Sequence, residues 1–231
     1  MHTSEGHRQR LKARFRAEGL DSFDEVHALE LLLFYAIARK DTKPLARTLL
    51  DRFGSLSQVL EATTEELEKI DGIGENVSTF LKLIPEVSRY YAINRASGVI
   101  LNTSDEYGMY LMQYFCGRRN ETVFLLCLDA KGKVLCCRFV GEGSVNSANI
   151  SLRQIVEIAL GVNASMVVLA HNHPSGVALP SGEDLATTKR IAQALYMMDI
   201  VLVDHIVVAD DDFVSVVQSG YYHPKECLFS V

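Results

Sequence analysis

The sequence predicts an α/β protein, in which an all-helical N-terminal half is followed by a mixed β-sheet flanked by helices. Three observations carry that expectation. Up to about residue 94, apolar residues recur at helical spacing between capping and breaking residues. From residue 103 onward, short β-rich apolar segments alternate with helical ones. The two regimes meet at Ala96-Ser97-Gly98, a small, polar stretch suited to a linker.

In the first half, residues 7–16 (HRQRLKARFR) contain five cations and no acid. On a helix, Leu11 and Phe15 share one face while Arg8, Lys12 and Arg16 line another, so this reads as an amphipathic helix with a basic, solvated side. Residues 26–37 read as a buried helix through Leu29, Leu31, Leu32, Leu33, Phe34 and Ile37. Pro44 suits the first turn of a helix carrying Leu45, Leu49, Leu50 and Phe53, and Gly54 ends it. Ser55 with Gln58, and Thr63 with Glu66, form capping-box patterns for the next two helices. Leu67, Ile70, Gly72-Ile73-Gly74 and Val77 then predict helix, tight turn and helix, with the last helix running to about Asn94. The glycines permit positive φ in a turn too tight for a Cβ, and amides at the following helix start could hold a phosphate oxygen. Contacts of that kind reach the nucleic-acid backbone rather than the bases. A plain helical connector is the equal alternative, because Glu68, Asp71 and Glu75 would weaken phosphate binding.

In the second half, Ser104 is placed to cap a helix through about Phe115. Glu121 to Leu128 reads as a strand, turned by Asp129-Ala130-Lys131-Gly132 into a second over Lys133 to Val140, and a third is expected over Gly143 to Ile150. A helix over Arg153–Leu160 follows, then a strand from Met166 into His171. Helix Glu183–Met197, strand Ile200–Val208 and strand Phe213–Val217 complete the sheet region, and residues 221–231 carry no usable pattern.

The bulk properties limit the possible functions. The 231 residues suffice for one large or two small domains, and 48% hydrophobic content makes the chain globular. No apolar run reaches the roughly 18 residues of a membrane span, and residues 1–16 lack a signal-peptide core, so the expected location is cytoplasmic. Five cysteines without a Cys-x-x-Cys pair indicate neither a disulfide framework nor a zinc finger; Cys116 and Cys127 read as core thiols. Net charge is −6, which argues against gripping nucleic acid over a broad surface. Residues 1–96 hold 14 basic and 15 acidic side chains, and 97–231 hold 9 and 14, so only the first half could meet DNA.

The chemistry concentrates in AHNHPSGVALPSGED. His171 and His173 leave a strand at positions i and i+2 and so point to one face. Pro174-Ser175-Gly176 breaks the strand, and Ser181 or Gly182 can cap a helix whose first turn carries Glu183 and Asp184. If the helix start folds back over the strand end, His171, His173 and Asp184 offer two nitrogens and an oxygen, with a fourth position open. That is the arrangement of a catalytic Zn2+. Such a site also needs a carboxylate to take a proton from water and pass it to a leaving amine. Glu121, Glu142 and Glu157 are available: the first reads as a solvated strand-end residue, the second ends a strand beside Gly141 and Gly143, and the third is mid-helix. His205 lies within a strand, where a histidine is more often a core residue than a ligand; at most it would support a ligand from behind. Asn172 and Ser175 read as loop-shaping.

His-x-His, seven residues, Ser181, two residues and Asp184 resemble the JAMM/MPN metalloprotease signature, and HNHPSG with VDHIVV resembles its RadC-like branch. HRQRLKARF, LELLLFYAIARKDTKPLA, RFGSLSQVLEA and IDGIGENV extend the likeness over roughly residues 7 to 220. The resemblance implies a JAMM/MPN domain over 100–222 behind a helix-hairpin-helix-like domain over 1–96, and a zinc hydrolase that cuts an amide bond in a protein or peptide. It implies Glu121 as the general base, since the family's glutamate opens the first sheet strand after the first helix, with Glu142 in reserve. Ser181 matches the family's serine, which stabilises the oxyanion, a role that competes with capping the helix. Ser151-Leu152-Arg153-Gln154 stands where that branch commonly has His-Pro-Arg-Glu, which bears on substrate contacts rather than metal ligands.

Two other functions compete. One is a DNA-processing accessory protein binding DNA weakly and without sequence preference through residues 1–96. The other is an interaction module, which the intact ligand set opposes. A nucleic-acid deaminase is excluded, since neither His-x-Glu nor Pro-Cys-x-x-Cys occurs.

Overall fold

The computed structural model describes residues 3–95, 98–145 and 151–224. The chain divides into two compact units, Met1–Ser88 and Arg89–Val231. Ala96, Ser97, Cys227 and His2 lie outside the described residues.

The first unit is helical: α1 (Thr3–Glu18), α2 (Glu25–Ala36), α3 (Lys43–Phe53), α4 (Leu56–Glu61), α5 (Thr64–Leu67) and the start of α6 (Glu75–Arg95). Local chemistry sets the boundaries. Asp24 caps α2 through the His27 amide, Pro44 sits in the first turn of α3, and Gly54, at φ +97°, ends α3 by donating to the Leu50 carbonyl. Ser55 accepts the Gln58 amide, and Thr63 with Glu66 closes a full capping box. Leu29, Leu33, Leu49, Val59, Leu67, Ile73 and Leu81 meet in one core. Each such burial contributes about 1.5–3 kcal/mol. On α1, Leu11 is buried against Leu31 and Phe34, but Phe15 is 41% exposed, so the expected apolar face is narrower than its pattern. In the turn before α6 only Gly72 takes positive φ, at +91°; Gly74 does not, and space beside it is open.

The second unit is a five-stranded sheet in the order β2-β1-β3-β4-β5. Its elements are α7 (Ser104–Phe115), β1 (Thr122–Leu128), β2 (Val134–Glu142), α8 (Leu152–Gly161), β3 (Met166–Asn172), α9 (Gly182–Tyr196), β4 (Val201–Ala209) and β5 (Asp212–Ser215). All pairings are antiparallel except β3 with β4. Period-two alternation divides the side chains between two cores. Phe124, Leu126, Val168, Ala170, Ile206 and Val208 pack with Leu111, Tyr114 and Phe115 of α7. Val123, Leu125, Val167, Leu169 and Val207 pack with Ile155 and Ala159 of α8 and Ile191 and Leu195 of α9. Both faces of β1 are therefore covered, and all seven of its residues are buried.

Three expectations need correction. Residues 143–145 are not strand: Gly143, at φ +105°, takes the backbone out of the extended region after β2, and 146–150 lie outside the described residues. Thr103, not Ser104, caps α7, in a capping box with Glu106, while the Ser104 hydroxyl donates to Asp204. Cys116 is exposed at the end of α7 rather than in the core, whereas Cys127 is buried. Among the described residues no helix is long and apolar enough to cross a membrane.

Candidate metal centre

The site forms at one end of the sheet, where β3 finishes and β1 begins. Antiparallel pairing sets His171 opposite Val123, and Glu121 and His173 each lie two residues further along, just beyond the paired strands. Residues 121, 123, 171 and 173 thus share the face covered by α8 and α9. Asn172 points the other way and is buried. Its Oδ1 accepts the Thr122 amide at 2.8 Å, and its Nδ2 donates to the Asn120 carbonyl at 3.2 Å. Gly143 donates to the carbonyl of Glu121 itself at 2.8 Å. The backbone of Glu121 is therefore held on one side by the residue that follows β2 and, through its neighbours Asn120 and Thr122, on the other by β3. The sequence reading took Asn172 as a loop-shaping residue and missed this.

Atoms of Glu121, His171 and His173 lie within 4.8 Å of one another, a grouping that could hold a metal ion. The two imidazole Nε2 atoms are 2.9 Å apart. Asp184, in the first turn of α9, brings Oδ1 to 3.6 Å from His171 Nε2 and Oδ2 to 3.7 Å from His173 Nε2. Ligand atoms around a tetrahedral zinc, at about 2.0–2.1 Å each, stand roughly 3.3 Å apart. The nitrogen–nitrogen spacing is a few tenths of an ångström below that value, and the two Asp184 spacings, made by different carboxylate oxygens, are a few tenths above it. The donor set fits the ion.

Protonation points the same way. His173 Nδ1 lies 3.0 Å from the carbonyl oxygen of Val177, which can only accept, so Nδ1 carries the proton and Nε2 offers its lone pair. Burial pushes the His171 imidazole down to about 4, against the pull of the Asp184 carboxylate and aided by His173. At neutral pH it is uncharged. Burial likewise raises the carboxyl of Glu121, with His173 opposing and Asp184 reinforcing. A carboxylate with a raised pKa beside two imidazoles is a better proton acceptor than an ordinary surface glutamate.

Ser181 is the N-cap of α9. Its Oγ accepts the Asp184 amide at 3.1 Å and donates to Asp184 Oδ2 at 2.6 Å, while its own amide donates to that oxygen at 2.7 Å. The hydroxyl is occupied in orienting Asp184. Glu142 is exposed at the end of β2 and pairs with Thr122, on the opposite side of the pleat from Glu121. Glu157 is exposed and ion-paired with Arg153 at 2.6 Å. His205, on β4, is fully buried, and its Nε2 is 2.8 Å from His171 Nδ1. Thr188, four residues after Asp184 on α9, lies against His205; the i,i+4 spacing was its only signal in the sequence.

Residues 101–221 match the RadC-like JAB domain family, and residues 43–83 match a helix-hairpin-helix motif. The chain belongs to the RadC-like JAB family, within a superfamily that includes metalloproteases. Among its relatives is UPF0758 protein FN0909 of Fusobacterium nucleatum, 33% identical over 226 residues that cover 94% of this chain and 97% of the relative. UPF0758 protein SPO0054 of Ruegeria pomeroyi is 34% identical over 216 residues, covering 93% and 96%.

Proposed function

We propose that the chain is a zinc-dependent hydrolase of JAMM type that cleaves an amide bond in a protein or peptide, acting in the cytoplasm. The observation that carries this reading is the convergence of the Glu121 carboxylate with two Nε2 atoms 2.9 Å apart, beside Asp184. In this reading His171, His173 and Asp184 are the ligands. A zinc ion held by them would supply Lewis acidity, which would lower the pKa of water and polarise a carbonyl. Glu121 takes the proton from the attacking water and returns it to the leaving amine, and its raised pKa suits both transfers. The Ser181 hydroxyl holds Asp184 in place and, on turning, could donate to a developing oxyanion. Val177 and Leu179, both exposed in the loop after His173, offer apolar contacts to a substrate.

Elemental analysis of protein purified without chelator should find about one zinc per chain. Glu121→Gln should keep the zinc and lose about 10²–10⁴-fold in turnover of a fluorogenic peptide library, while Glu142→Gln retains activity. Protein that neither contains zinc nor takes it up would overturn the reading.

A second activity rests on the helix-hairpin-helix match over 43–83. Gly72, at φ +91°, makes the turn into α6, and the amides at that helix start can face a phosphate. We propose that residues 1–96 form a domain giving weak, sequence-independent DNA binding, and that 100–222 form the hydrolase domain. Anisotropy titrations of duplex, nicked and branched DNA should show affinity that falls steeply with salt. No binding at low salt would remove this activity.

A further inference from the structure

The proposed ligand set does not end at three side chains. Behind His171, a line of short contacts runs across the sheet and back to the helix carrying Asp184. His171 Nδ1 lies 2.8 Å from His205 Nε2, His205 Nδ1 lies 2.6 Å from Thr188 Oγ1, and Thr188 Oγ1 donates to the main-chain carbonyl of Asp184 at 2.6 Å. His171, Thr188 and His205 are each 0% exposed.

With both imidazoles neutral, only one arrangement of protons satisfies the three contacts behind His171. The Asp184 carbonyl has no proton to give, so the hydroxyl proton of Thr188 must point to it. Sending that proton to His205 instead would leave two oxygens facing each other at 2.6 Å with nothing between them. Once the hydroxyl has donated, Thr188 Oγ1 can only accept, and the His205 proton therefore sits on Nδ1. A neutral His205 then has a bare Nε2, which accepts from His171 Nδ1–H. The His171 proton is thus committed to Nδ1, and its Nε2 presents a lone pair toward His173 Nε2. Because the Val177 carbonyl fixes the same tautomer in His173, two lone pairs face each other across 2.9 Å. No neutral hydrogen bond can join them. A metal ion bound by both nitrogens, or one further proton shared between them, resolves the arrangement.

We propose that His205 is a positioning residue for the metal centre: with Thr188 behind it, it locks His171 in the Nδ1–H tautomer and so prepares Nε2 for the ion. The inference rests on the metal reading above, and extends it to two residues that touch neither metal nor substrate. The chain of contacts also ties the first ligand to the backbone of the third, so that β3, β4 and α9 hold one preset geometry. A partner that orients a ligating imidazole typically contributes 10–100-fold in metal affinity.

Zinc affinity of the full chain, measured by competition with a chromophoric chelator, tests the idea. His205→Phe fills the space without an acceptor and should weaken zinc binding by about 10–100-fold. His205→Gln places an amide oxygen near the position of Nε2 and should restore binding to within roughly fivefold of wild type. Thr188→Val frees His205 to adopt the other tautomer and should weaken binding by about 3–10-fold. Nitrogen-15 spectra of the zinc-free wild type should show His171 protonated at Nδ1, a signature that lost packing alone would not shift. Wild type that takes up zinc while folded His205→Phe binds it equally well overturns the relay and leaves the metal centre standing. A His171 proton found on Nε2 also overturns it, even if every variant unfolds. Wild type that takes up no zinc removes the metal reading and the relay together.

Discussion

Asp204 offers a sharp test of how this sheet is held. Its carboxylate is fully buried and accepts four hydrogen bonds: Oδ1 from the amides of His205 at 2.7 Å and Val217 at 3.2 Å, Oδ2 from the hydroxyls of Ser104 at 2.5 Å and Ser215 at 2.7 Å. Burial nonetheless holds its pKa above the ordinary value. In Asp204→Ala the two hydroxyls can turn elsewhere, but the two main-chain amides cannot. At about 1–3 kcal/mol for each stranded donor the loss is about 2–6 kcal/mol, before any cavity is counted. That is a large share of the roughly 5–15 kcal/mol of a typical domain. Asp204→Asn should behave differently. Its amide oxygen keeps both main-chain donors, and its NH₂ faces two hydroxyls that can reverse and accept. The remaining loss, from charge-assisted to neutral bonds, should stay under about 2 kcal/mol. Thermal unfolding followed by circular dichroism should place the alanine variant roughly 5–20 °C below wild type and the asparagine variant within a few degrees. An asparagine variant as unstable as the alanine one would refute this account of the four bonds.

Three other outcomes are expected. In zinc-free protein His171 titrates near 4, below the free imidazole, so the unfolded chain takes up the proton first as pH falls. Its contribution is intact above about pH 6.5 and is lost progressively toward pH 4, on the order of 3 kcal/mol; His171→Gln should flatten that window in urea titrations, and an unchanged slope would contradict it. Ser181→Ala should lose about 1 kcal/mol of capping and Ser181→Gly only a few tenths, while both lose the bond to Asp184 Oδ2; equal stabilities would argue against the cap. A Cβ on Gly108 of α7 would run into the Phe213 ring, so Gly108→Ala should destabilise by about 1–3 kcal/mol, and a Tm unchanged within a degree would show that the ring moves freely.

The elements whose signals are local were legible in the sequence. β1, β2 and the turn at Asp129–Gly132 follow from β-rich apolar runs and turn chemistry, and the α5 cap follows from Thr63 and Glu66. The α7 cap was misplaced by one residue because Thr103 and Ser104 are adjacent hydroxyls; the glutamate three positions on favours Thr103. Of the candidate site, spacing alone suggested that the two histidines and Asp184 come together, and they do lie close. That Glu121 and Glu142 lie on opposite sides of the pleat was not legible, because only strand pairing reveals it. His205 was legible as a strand residue that at most supports a ligand, but the sequence did not show that it touches His171. That contact spans 34 residues and exists only because β3 and β4 run side by side.

The strand order also has a consequence for synthesis. The β1–β2 hairpin can close as soon as it leaves the ribosome, but the other edge of β1 waits for β3. Roughly 40 residues separate the end of β1 from the start of β3, which at about 5–20 residues per second is roughly 2–8 s of translation. Through that interval Thr122–Leu128, seven residues without a charge, would present unpaired amides to any other nascent chain. The strand bearing His171 and His173 is therefore also the plug for an adhesive edge. A substitution that delays its docking should reduce soluble yield in the cell before it alters the metal centre of the molecules that fold.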